Sequence, residues 1–94
     1  METIARVKNR EVREYVRNRT PFRGSNLSGG YFGKNYVVLS YLTPIFVYSN
    51  GQWYINTVLY GPVTARHKAQ AKPQKIGIKH IREYEIWQII KEGL

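Results

Sequence analysis

The chain has 94 residues and a mass of 11.0 kDa, the size of one domain spanning residues 1–94. Fifteen Lys and Arg face six acidic residues, a net charge of +9, and self-repulsion on that scale points to a polyanionic partner or a need for solubility. There is no Cys, and all six acids are Glu, which excludes disulfides, zinc–thiolate centres and cysteine nucleophiles and leaves few carboxylates for a two-metal nuclease.

In chain order, residues 3–18 predict an N-terminal helix. Ile4, Ala5, Val7, Val12, Tyr15 and Val16 share half of the wheel, Thr3 can cap its start, and Thr20-Pro21 ends it. Residues 23–35 are rich in Gly, Ser and Asn and predict a mobile loop, with a short strand around Tyr31 and Phe32. Tyr36 to Leu42 is β-branched and aromatic and predicts a strand. Thr43-Pro44 interrupts it, and a bulge or an edge position would accommodate that proline. The extended pattern resumes at Ile45–Tyr48. Asn50-Gly51 then gives a hairpin signal, since a type I′ turn needs positive φ at both central residues. The return strand runs from Gln52 to Tyr60. Trp53, Ile55, Thr57 and Leu59 form its core side, while Tyr54, Asn56, Val58 and Tyr60 lie on the other. Thr64 to Ala71 predicts a short helix, residues 72–80 a basic connector with a strand at Ile76 to Ile78, and Ile81 to Lys91 a C-terminal helix. On that last helix Tyr84, Ile86, Trp87 and Ile90 share one arc. The expected class is α+β: an N-terminal helix, a small antiparallel sheet of three to five strands with the Asn50-Gly51 hairpin, and a C-terminal helix.

The charge is unevenly placed. Between Glu14 and Glu83 there is no acid, and the middle third, residues 31–60, carries a single base, Lys34. On a helix over 3–18, Arg6, Arg10, Arg13 and Arg17 would fall within an arc of about 60° opposite the apolar side. Such a row suits phosphate recognition, because each guanidinium forks two hydrogen bonds and never loses its charge. Like charges at i, i+4 also weaken a helix, so the row has a cost unless something anionic meets it. Arg23, Arg66, His67, Lys68, Lys72 and Lys75 extend the expected phosphate contacts. Thr64, Arg66 and His67 stand at an expected helix start that would attract an anion, or else Thr64 only caps the helix and His67 packs on the sheet edge. The aromatic strands read as core or as a platform for unpaired bases. If they are a platform, Tyr54, Asn56 and Tyr60 are its candidates.

Ser40-Tyr41-Leu42-Thr43-Pro44-Ile45, Trp53-Tyr54-Ile55-Asn56, Tyr60 and Thr64-Ala65-Arg66-His67 together resemble a family of small phage and mobile-element domains of unassigned function. The resemblance covers about residues 31–70. It implies a viral or mobile-element origin and brings no activity or site residues.

The expected function is non-enzymatic binding of nucleic acid, DNA or RNA, with no cofactor and no metal. His67 and His80 are the only histidines, too few ligands for a usual zinc site without Asp or Cys. Two alternatives stay open. One is a metal-independent basic ribonuclease of the toxin type using Arg66, His67, Tyr60 and His80. The other is a viral basic protein that binds and inhibits an acidic host protein. A homodimer is also left open. No apolar run approaches the roughly 20 residues of a membrane span, and the charged start carries no signal-peptide pattern. A cytoplasmic location, that of the host cell for a viral protein, and no membrane partner are therefore expected.

Overall fold

Residues 22–56 fold back and forth as adjacent strands because short polar turns separate runs of β-branched and aromatic residues. In the computed structural model, which describes residues 4–58 and 61–94, the order is β1 (Ala5–Arg6), a 3-10 turn (Asn9–Glu11), α1 (Val12–Arg17), β2 (Phe22–Arg23), β3 (Leu27–Phe32), β4 (Asn35–Ser40), β5 (Thr43–Ser49), β6 (Gln52–Asn56), α2 (Pro62–Ala71), β7 (Ile78–Ile81) and α3 (Glu83–Glu92). The expected Thr3 cap, the Leu59 core position and the Tyr60 ring lie outside the described residues.

The class is α+β, with one sheet of seven strands in sequence order. β2 to β6 pair antiparallel, whereas β1 runs parallel to β2 and β7 parallel to β6. The sheet is therefore larger than the expected three to five strands, and mixed. The additions are short or Gly-bearing strands whose sequences give no strong β signal. Two of the four glycines of the expected loop, Gly29 and Gly30, sit inside β3, where a Cβ on Gly29 would run into the side chains of Phe22 and Tyr36.

The N-terminal segment is not one helix. Ala5 and Arg6 pair with Phe22 and Arg23, and the Val7 N–H donates to the Arg23 carbonyl at 3.0 Å. Only Val12–Arg17 is α-helical, burying Val12 and Val16 one turn apart. Pairing with β2 satisfies the backbone groups of residues 5–7 that face it, without a helix, and leaves the outer edge to solvent.

The strand directions decide where the helices go. β1, β2, β6 and β7 point the same way, and both parallel steps, β1–α1–β2 and β6–α2–β7, advance across the sheet in the same sense. The strong preference for right-handed crossovers then places both helices on one face. Accordingly Val12 and Val16 of α1 and Ala71 of α2 share a core with Phe22, Tyr36, Phe46 and Trp53. α3 covers the opposite face, where Ile86 and Ile90 pack on Val37 and Val47. Its apolar arc is rotated from the expected one: Ile89 packs inward, while Tyr84 and Trp87 are exposed.

The hairpin follows its turn. Asn50 and Gly51 have φ of 50° and 79°, and Tyr48 pairs with Trp53, Val47 with Tyr54 and Phe46 with Ile55. Pro44 is accommodated by a bulge. Val38 pairs with Phe46 and Leu39 with Pro44, so Ile45 is the extra residue and turns into the α1–α2 core. The Pro44 carbonyl accepts from Asn56 Nδ2 at 2.9 Å, which gives the buried amide a partner. Among the described residues no helix is long and apolar enough to cross a membrane.

Candidate nucleic-acid interface

Two basic tracts far apart in sequence meet where α1 packs on α2. Arg13 Nη2 donates to the Ala69 carbonyl at 2.8 Å, and Arg17 Nε donates to the Pro73 carbonyl at 3.3 Å. Both side chains stay exposed while using part of their donor set, so each retains N–H groups for an incoming anion. Lys72 lies between the two acceptor residues, exposed, at the end of α2. Arg10 precedes α1 in the 3-10 turn, which also touches α2. Arg10, Arg13 and Arg17 line a shallow surface together with Glu11 and Glu14, so that face is partly neutralised.

The other side of α2 forms a cleft with β6 and β7. Its volume is about 290 Å³, its apolar wall includes Ile55 and Ile78, and Lys68, Lys72, Lys75 and His80 supply the polar groups. No carboxylate lines it. Lys68 is half-buried, its Nζ donates to the Val58 carbonyl at 2.5 Å, and burial pulls its pKa below the usual lysine value. A bound anion would push that pKa back up.

The remaining expected contacts separate. Arg6 is on edge strand β1 rather than on a helix, so the four-arginine row is broken between β1, the 3-10 turn and α1. Arg23, on β2, is the register partner of Arg6. Arg66 is exposed on α2, but the next residue, His67, is only 2% exposed. His67 Nδ1 shares a 2.6 Å hydrogen bond with the Ser40 hydroxyl, so its ring braces α2 against β4 instead of facing solvent as a phosphate contact would. The ring being enclosed, it also lacks the access that a ribonuclease acid or base requires. Of the expected stacking platform, Tyr54 is half-buried against the α3 core and Asn56 is fully buried, so Asn56 offers no surface to a base. Tyr60, their expected companion, is among the residues not described.

Sequence reasoning passed over Tyr41. It was expected to continue a strand, but β4 stops at Ser40, and Tyr41 occupies the following turn with φ of 56°. The signal was the pair of polar residues, Ser40 and Thr43, flanking it just before Pro44.

Burial depresses the His67 pKa, with the neighbouring Arg66 charge adding to the effect. The unfolded chain therefore takes up a proton before the folded one does as the pH falls below about 6.5. The neutral ring's contribution is fully present above that pH and is lost progressively toward the lower folded pKa. We expect stability to fall on acidification from pH 7 to 5, with a limiting slope of about 1.4 kcal/mol per pH unit from this group. Urea melts across that range should show the slope, and His67→Gln should flatten it.

No family model, no curated protein and no solved structure matches this chain.

Proposed function

We propose that the chain binds nucleic acid through phosphate contacts and does not cleave it, as a protein of the viral or mobile-element type that its central motifs resemble. The observation that carries this reading is the docking of Arg13 and Arg17 of α1 onto the backbone of residues 69–73, the segment that carries Lys72 and whose other side is the acid-free cleft lined by Lys68, Lys72 and Lys75. Like charges gathered in this way repel one another, and a phosphate backbone relieves the repulsion. Each phosphate contact displaces condensed counterions, which makes the affinity strongly salt-dependent. The candidates are Arg10, Arg13, Arg17, Arg66, Lys68, Lys72 and Lys75, with Arg6 on edge strand β1 and Arg23 on β2 as a separate pair. An enclosed His67 favours binding over metal-independent cleavage.

The test is a mobility-shift series against single- and double-stranded DNA and RNA at rising salt. Log affinity should fall linearly with log salt, with a slope of about −0.9 per duplex phosphate and roughly five to eight contacts in all. An affinity that stays flat between low and moderate salt would sink the proposal.

A further inference from the structure

At the end of the sheet opposite the β5–β6 hairpin, three features come together that phosphate contact alone does not require. The first is a pair of arginines. Arg6 and Arg23 are register partners on β1 and β2, and both are exposed. They line one cavity of about 350 Å³ with Gly24 and Ser25, and neither is paired with a carboxylate among the described residues. Like charges placed opposite one another on neighbouring strands repel, and an anion between them removes the repulsion.

The second is an adjoining cavity of about 270 Å³, which shares Arg23, Gly24 and Ser25 with the first and continues past Asn26 to Tyr41. No acid lines either cavity. Gly24, shared by both cavities, is fixed as glycine by close packing: a Cβ there would come within 2.9 Å of Asn9 Oδ1 and 3.0 Å of the Leu27 carbonyl.

The third is Tyr41 itself. Its ring is 60% exposed, on a backbone whose φ of 56° a bulky side chain rarely adopts. The conformation is held from behind, because the Tyr41 N–H donates to the Asn26 carbonyl at 2.8 Å. Behind the ring lies the buried His67, whose ring centroid is 6.0 Å away.

We infer that Tyr41 and the Arg6–Arg23 pair form a binding site for single-stranded nucleic acid, in which an unpaired base stacks on Tyr41 and the adjacent phosphate sits between the two guanidiniums. This rests on the nucleic-acid reading above and adds to it the strandedness of the ligand. A duplex keeps its bases stacked on one another and offers none to an exposed tyrosine.

The probes are oligothymidylate, oligouridylate and a mixed-sequence DNA duplex, measured by fluorescence anisotropy at low salt. Wild-type protein should bind the single strands more tightly than the duplex. Tyr41→Ala should lose roughly 5- to 150-fold in single-strand affinity, the usual worth of one stacked base, with little change for the duplex. Tyr41→Phe should retain most of the affinity. Tyr41→Gly suits the backbone and serves if the alanine variant fails to fold. A strand carrying 2-aminopurine should be quenched on binding the unaltered protein, which tests stacking without any substitution. If wild type binds but neither Tyr41→Ala nor Tyr41→Gly weakens single-strand binding, this inference fails and the proposed function stands. If wild type binds no oligonucleotide at low salt, or binds polyglutamate instead, the proposed function fails and takes this inference with it.

Discussion

Trp53→Ala is expected to destabilise the protein by about 3–5 kcal/mol, the range for removing a large aromatic from a packed core. The indole is 4% exposed and sits where three rings meet it edge-on: Tyr48 at 5.1 Å, Tyr36 at 6.2 Å and Phe46 at 6.3 Å between centroids. None of these neighbours can collapse into the space easily. Tyr36 is anchored by its hydroxyl, which donates to the Thr20 carbonyl at 2.7 Å, and burial raises that phenol's pKa far above its ordinary value, with Tyr31 adding to the effect. A domain of this size loses roughly 4–8 °C of Tm per kcal/mol, so the melting point should drop by well over ten degrees. A melt within a few degrees of wild type would mean that the four-ring cluster contributes little.

Binding should respond to a different substitution set. In Arg10→Gln/Lys72→Gln/Lys75→Gln the three side chains are exposed, and the hydrogen bonds from α1 to the α2 segment among the described residues come from Arg13 and Arg17 instead. Arg13 and Arg17 are left in place because they bond to the α2 segment, and replacing them would confound affinity with packing. Affinity should fall on the order of tenfold per contact removed, taking about 1.5 kcal/mol for each charge-assisted bond, and the salt slope should shrink by about one per contact. Stability should hold within about 0.5 kcal/mol at each site. The matched control is Lys34→Gln/Lys79→Gln/Lys91→Gln, which removes the same charge elsewhere. Equal losses in the two variants would assign the binding to net charge and not to the α1–α2 side.

The parts of this fold legible in the sequence are those with local chemistry. Asn50-Gly51 dictates its own turn geometry, and from it followed the register of β5 on β6 and the burial of Trp53. Pro44 called for a bulge or an edge position, since a missing donor must be accommodated where it stands, and the bulge is what the fold uses. What stayed hidden depends on partners distant in the chain. Ala5–Arg6 is a strand only because Phe22–Arg23 lies beside it, and two residues carry no periodicity. Val12 and Val16 fit a long helix or a short one equally well. On the site, the arginines and lysines were visible as types, but their meeting across α1 and α2 follows from strand direction, which composition does not encode. For His67 the sequence leaves two readings, an anion contact among basic neighbours or a ring packed on the sheet edge, and the facing Ser40 selects the second.

The parallel strands at the two margins also bear on the order in which the molecule assembles. The hairpins between β3 and β6 close over a few residues each, whereas β1 reaches β2 across 17 positions, Ala5 to Phe22, and β6 reaches β7 across 25, Trp53 to Ile78. Longer closures lose more chain entropy before any contact rewards them, so the margins are the last to dock and the first to open. α1 and α2 belong to those late segments, and the proposed phosphate contacts span both. A strand laid across them would hold the final stage of folding shut, stabilising the native state in proportion to its own concentration.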